Sequence, residues 1–114
     1  MKTVVVTDGK YRSSIAVVRA LGRAGYRVVV TQTRADVTCE PPVFASRYAS
    51  ECRWIDGSCA DEEYIRRLCE LLEEYEHPVL FCVGAVSLNV AARHRGRLVP
   101  LCDVLVADAD TLEY

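Results

Sequence analysis

Runs of β-branched and apolar residues recur along the chain at intervals too short for anything but strands: Thr3-Val4-Val5-Val6-Thr7, Val28-Val29-Val30-Thr31 and Val79-Leu80-Phe81-Cys82-Val83, with a shorter Cys52-Arg53-Trp54-Ile55. Unbroken apolar character over four or five residues predicts strands buried on both faces, as in a parallel sheet. Between the runs the apolar period changes to that of a helix. Val17, Val18, Leu21 and Ala24 share one face of a first helix, with Ser13 as its expected N-cap and Gly25 closing it. Ile65, Leu68, Leu72 and Tyr75, joined by Tyr64 and Leu71, form the stripe of a second helix. Ser58 and Asp61 both suit its N-terminus, Glu62 and Glu63 its first turn, and His77-Pro78 its stop.

A third helix is expected from about Ala85 to His94, ended by Gly96, then a fifth strand at Val104-Leu105-Val106 or within Leu98 to Leu101. Residues 32–50, with Pro41-Pro42 inside, cannot form a continuous helix or central strand; Ala45 to Tyr48 fits a helical turn. Alternating strands and helices at these spacings predict an α/β fold, a three-layer α/β/α arrangement around a small, mostly parallel sheet of about five strands. The domain spans 1–107, and 108–114 reads as the start of an outgoing helix.

With 114 residues, half of them apolar, the chain can build one core without staples. The net charge of −2 argues against nucleic acid, which needs a concentrated basic surface. No apolar run approaches a membrane span and no signal peptide opens the chain, so the cytoplasm is the expected compartment. The six cysteines (39, 52, 59, 69, 82 and 102) lack C-x-x-C spacing and do not cluster with His77 or His94. Reduced, structural thiols are expected, with Cys39 the exposed one and no metal site. Arg93-His94-Arg95-Gly96-Arg97 fits a helix C-terminus, where cations oppose the macrodipole.

In open parallel sheets ligands bind at the carboxyl ends of strands beside a topological switch point, here expected between strands one and four. That places Asp8, Gly9, Arg12, Ser13, Ser14 and Gly84 at the candidate site. Helix-start amides, the two serine hydroxyls and the Arg12 guanidinium suit a carboxylate or phosphate. The structural alternative is that Asp8 and Ser13 satisfy a turn and a cap, with Lys10 and Arg12 as surface charges. Neither G-x-G-x-x-G nor a Walker-type loop is present. No paired carboxylates, Ser-His-Asp set or Cys-His pair marks a catalytic centre.

In order and wording the segments resemble the N-terminal (pre-ATP-grasp) domain of ATP-grasp ligases, nearest the carbamoyl-phosphate-synthase-like and carboxylate–amine ligase branches. The likeness is carried by Val4 to Gly9, Ala20 to Val30, Phe44-Ala45-Ser46-Arg47-Tyr48, Val83-Gly84, Ala92 to Arg95 and Asp110-Thr111-Leu112-Glu113. It covers nearly the whole chain through the order of individually weak motifs. The resemblance implies a reduced Rossmann-like fold forming one wall of a site for a small carboxylate or amine substrate. It assigns ATP and magnesium to later domains, in cis or on a separate subunit, and none to this chain, which is then inactive in ligation alone. The unfinished last helix points to an N-terminal fragment. A homodimer is compatible with such a domain.

Similar sequences carry an acid just after the strand-four glycine, where this chain has Ala85-Val86, and that departure bears on amine recognition. Three other readings compete. A phosphoacceptor receiver needs an acidic pair after strand one and a lysine after strand five, and neither is found. A Rossmann-type nucleotide-binding regulatory module lacks the glycine fingerprint and an acid closing strand two. A non-catalytic interaction domain with a vestigial cleft completes the set.

Overall fold

The computed structural model describes residues 2–60 and 62–105. In chain order the elements are β1 (Thr3–Val6), α1 (Arg12–Arg23), β2 (Arg27–Thr33), β3 (Glu51–Ile55), α2 (Tyr64–Leu72), β4 (Val79–Phe81), α3 (Ala85–Arg93), α4 (Arg95–Leu98) and β5 (Asp103–Leu105), with 3₁₀ turns at Arg34–Asp36 and Pro42–Ala45. All strand pairs are parallel, in the order β3-β2-β1-β4-β5. Val4, Val5 and Val6 lie opposite Val28, Val29 and Val30 on one side, and opposite Val79, Leu80 and Phe81 on the other.

Strand alternation sorts these residues into two core layers. Val4, Val6, Val28 and Val30 face Val18 of α1, with Ile15, Val17, Leu21, Val43 and Phe44 around it. Val5, Val29 and Leu80 face the Ile65, Leu68 and Leu72 stripe of α2, together with Val90, Ala91 and Leu98 from α3 and α4. The result is the expected three-layer α/β/α fold around a five-stranded sheet.

α1 ends as the glycine predicts. Gly25, at φ +93°, closes a Schellman motif in which Tyr26 N donates to Leu21 O and Gly25 N to Gly22 O, both 3.1 Å. Several boundaries differ from expectation. Tyr11, without a side-chain bond, occupies the N-cap of α1, so Ser13 caps nothing. α2 begins only at Tyr64: the Ser58 hydroxyl donates to Asp36 Oδ1 at 2.6 Å and accepts from the Ala60 amide at 3.2 Å, ahead of the helix. Asp61 lies outside the described residues. The turn expected at 45–48 is the 3₁₀ turn at Pro42–Ala45, set by Pro41-Pro42. Gly96 sits inside α4 and does not end α3, which His94 interrupts. The fifth strand is Asp103–Leu105, and Leu98 to Leu101 is helix end and turn. The outgoing helix at 108–114 lies outside the described residues.

All six cysteines are free thiols, with Cys39 exposed and Cys59, Cys82 and Cys102 buried. His77, at φ +43°, ties the amino edge of the sheet through Nε2 to Asp103 Oδ1 at 3.0 Å and through its carbonyl to Lys2 Nζ at 3.0 Å. No helix among the described residues is long and apolar enough to cross a membrane.

Candidate functional site

From β1 the chain steps outward to β2 and then β3, while β4 and β5 lie on the opposite side of β1. The switch point therefore falls between β1 and β4, and it is at the carboxyl ends of such strands that open parallel sheets bind ligands. Thr7, Asp8, Ser14, Thr31, Gln32, Thr33 and Ser87 are the buried polar residues among those described. All follow or end β1 and β2, or open α1 and α3. Burying polar groups is costly unless they are bonded, so their concentration along one edge needs a local network.

Asp8 is the hub. Its Oδ2 accepts from Thr7 Oγ1 at 2.8 Å, from the Gly84 amide at 3.0 Å and from the Ser87 hydroxyl. Its carbonyl accepts from Ser14 Oγ at 2.6 Å and from the Tyr11 amide at 3.2 Å. Thr7 Oγ1 also accepts from the Val83 amide at 3.2 Å, so the ends of β1 and β4 are tied through two adjacent side chains. These bonds hold Asp8 at φ +58°, a left-handed conformation that aspartate tolerates better than most residues.

Gly84 is required by closeness alone. A Cβ there would lie 2.8 Å from both Asp8 Oδ2 and Tyr11 Cε2. At Gly9 a Cβ would meet Val43 Cγ1 at 2.9 Å and Val30 Cγ1 at 3.1 Å. Packing of the α1-side core thus explains that glycine without any ligand.

The six expected site residues therefore divide. Asp8, Ser14 and Gly84 come together, buried and joined by hydrogen bonds, and the buried Gly9 donates its amide to Thr31 O at 3.1 Å, whereas Arg12 and Ser13 lie exposed on the first turn of α1. Thr7 and Ser87 join the network without having been singled out, though each stands beside a strand end or helix start where such a partner belongs. Tyr64, spaced as a core residue, lies at the same edge, only 2 % exposed. Burial pushes its hydroxyl well above the ordinary tyrosine range, and the negative charge of Asp8 adds to the shift. Cys82 is pushed up to about 12, first by burial and then by Asp8. Cys59 is raised to about 11 by burial and by Asp36. Both thiols stay protonated near neutrality and are poor nucleophiles.

Beside this network, Asp36 clamps the segment after β2. It accepts from the Thr33 hydroxyl, from Ser58 Oγ at 2.6 Å and from the Cys59 amide at 2.9 Å. Burial raises the Asp36 carboxyl, but the Ser58, Thr33 and Cys59 donors outweigh it and hold the group at about 2. An open groove of about 360 Å³ lies against this segment, lined by Lys10, Asp36, Cys39 and Pro41-Pro42 among others. Lys10 is positioned by its own amide, which donates to Gln32 Oε1 at 2.9 Å. Among the described residues no three His, Cys, Asp or Glu side chains gather as metal ligands do.

Neither a known protein-family model nor a curated protein matches this chain.

Proposed function

We propose that this chain is the N-terminal, substrate-side domain of an ATP-dependent carboxylate–amine ligase of the ATP-grasp kind, inactive in ligation by itself. The observation that carries the reading is the buried hydrogen-bonded network at the β1–β4 switch point, where Asp8 and Gly84 meet. It coincides with the segments that resemble pre-ATP-grasp domains. In this reading the Asp8–Ser14 turn is one wall of the pocket for the small carboxylate or amine. Arg12 and Ser13, exposed on the first turn of α1, are available to a substrate carboxylate, which the N-terminal end of a helix also favours. ATP and magnesium are held by the remaining domains, in cis or on a separate subunit, and no step is assigned to them here. The six unpaired thiols support a cytoplasmic setting.

The test is ADP release by the protein encoded by the whole reading frame, assayed with a panel of small carboxylates and amines. ADP formed only when both substrates are present supports the ligase. ADP release that ignores the panel, or none with a folded protein, refutes it and leaves a small-ligand-binding regulatory module.

A further inference from the structure

The sheet ends at β3, which pairs with β2 on one side and, among the described residues, with no strand on the other. Which of its backbone groups face outward follows from the bonds of β2. Arg27 N donates to Lys2 O and Gly9 N to Thr31 O, so the odd-numbered residues of β2 turn toward β1. Val28 N donates to Ser50 Oγ, so the even-numbered ones turn toward β3. In a parallel ladder a residue bonded across lies opposite one that turns away. Cys52 and Trp54, opposite Val30 and Gln32, therefore point their N–H and C=O groups out of the sheet, and no bond outside the ladder reaches these groups among the described residues. Open space lies beside them: a groove of about 270 Å³ separates this edge from α2, lined by Arg53, Trp54, Ile55, Arg67 and Glu74 among others. An unpaired edge is a template for another strand. Glu51 and Arg53 lie on the α2 face of β3, where Ile55 joins that core layer. Arg53 Nη2 pairs with Glu74 at 2.7 Å and the Tyr75 hydroxyl donates to Glu51 Oε2 at 2.9 Å, so both charges are held along the edge.

We propose that β3 pairs antiparallel with β3 of a second copy of this chain, about a two-fold axis at Cys52, joining the two sheets into one. Outward-facing groups must meet outward-facing groups, so even-numbered residues stand opposite even-numbered ones. Centres at Cys52, Arg53 and Trp54 all satisfy this. A centre at Arg53 sets Arg53 against its own copy, and a centre at Trp54 sets it opposite Ile55. Only the centre at Cys52 sets Glu51 opposite Arg53 of the second copy, and Arg53 opposite Glu51 of the second copy. Those are positions not bonded to each other, where side chains lie closest and opposite charges attract. Cys52 then exchanges both backbone bonds with its own copy. A strand of another protein would need only the free backbone; the self-match of the two charges about a two-fold axis favours a second copy. This edge lies away from the carboxyl ends of β1 and β4, and association can be present or absent whatever the chain's place in ligation.

The experiment is sedimentation equilibrium of the chain in reducing buffer at rising concentration, with amide hydrogen exchange followed by NMR over the same range. Two short strands make a small contact, so a weak dimer is expected, half formed below about 1 mM chain. The Cys52 amide, open in the monomer, should slow in proportion to the fraction of dimer, while the Arg53 amide, turned toward β2, is protected in both states. Cys52→Pro removes the central N–H without touching a ladder bond, which an edge strand tolerates, and Glu51→Lys sets like charges opposite each other. Each should leave a folded monomer. In a Cys39→Ser background, oxidation by diamide should link two chains through Cys52. Bonded antiparallel partners have Cα atoms about 5.5 Å apart, within disulfide reach, whereas the other two registers carry the two Cys52 residues out of reach. A chain that stays monomeric to about 1 mM, a dimer that Glu51→Lys leaves intact, a dimer whose Cys52 amide exchanges as fast as the monomer's, or one that Cys52 does not link overturns the proposal. Should Cys52→Pro fail to fold, Glu51→Lys and the Cys52 link still decide it.

Discussion

Replacing Gly84 by alanine places one methyl group where the packing between β1 and β4 has no room for it. The new Cβ would sit 2.8 Å from Asp8 Oδ2, 2.8 Å from Tyr11 Cε2 and 2.9 Å from Asp8 Cγ. Backbone strain is not the issue, since Gly84 already has φ −82° and ψ 147°, open to any residue. What decides the cost is which neighbour can retreat. The Tyr11 ring, 39 % exposed, can swing into solvent. The Asp8 carboxylate cannot, because Thr7, Ser87 and the Gly84 amide itself hold Oδ2 and Ser14 holds the backbone. An overpacked site of this kind costs about 1–3 kcal/mol, and partial loss of a charge-assisted bond puts the substitution near 2. For a chain of this length that lowers the melting temperature by about 8 °C. The assay is urea unfolding followed by circular dichroism, with an unchanged slope confirming that the folded state is otherwise intact. Gly96→Ala is the matched control: a Cβ there has nothing within 4 Å, and its place in α4 makes a gain of about 0.5 kcal/mol the expected result. If Gly84→Ala falls within about 0.5 kcal/mol of the parent, the packing around Asp8 is looser than described and the rigid-carboxylate argument fails.

Three more expectations follow from the same geometry. In the folded protein Cys39 should react with a thiol reagent about a thousandfold faster than Cys82, which burial and Asp8 hold at about 12; mass mapping that finds Cys82 labelled as fast as Cys39 contradicts this. The Asp36 carboxyl titrates at about 2 in the folded chain against an ordinary 3.8, so its stabilising effect is present in full above the ordinary value and is lost as pH falls through about 2. Allowing for solvent screening of this half-buried group, about 1 kcal/mol is at stake, and Asp36→Asn should show a smaller acid-induced drop in urea midpoint than the parent. An equal drop in both proteins would acquit Asp36. In the ligase assay on the whole protein, Arg12→Ala should lower kcat/KM about tenfold or more with no change in melting temperature, and wild-type kinetics would remove Arg12 from the site.

How far the sequence could be read depended on whether a residue's neighbours in space were also its neighbours in the chain. The valine runs and the Ile65-Leu68-Leu72 stripe announced sheet and helix, because period alone carries that information. Likewise Gly25 marked its Schellman turn, every bond of which lies within a few residues. The polar residues were harder, since their partners are distant. Ser58 is well suited to cap a helix, but its hydroxyl bonds Asp36, 22 residues earlier, and the Ala60 amide, and α2 starts only at Tyr64. Ser13 and Ser14 are interchangeable by composition, yet only Ser14 points inward to the Asp8 carbonyl.

Tyr64 has the spacing of a core residue and is one, and it also opens α2, a boundary that periodicity cannot express. At the amino edge, polar contacts such as Lys2–Asp103 and His77–Asp103 remain exposed, where they add little stability. At the carboxyl edge a comparable set is buried and almost fully bonded. Folding alone would be served as well by apolar side chains in those positions. The asymmetry between the two ends of one sheet is therefore the strongest physical reason to look for a ligand between β1 and β4, around the network that Asp8 organises.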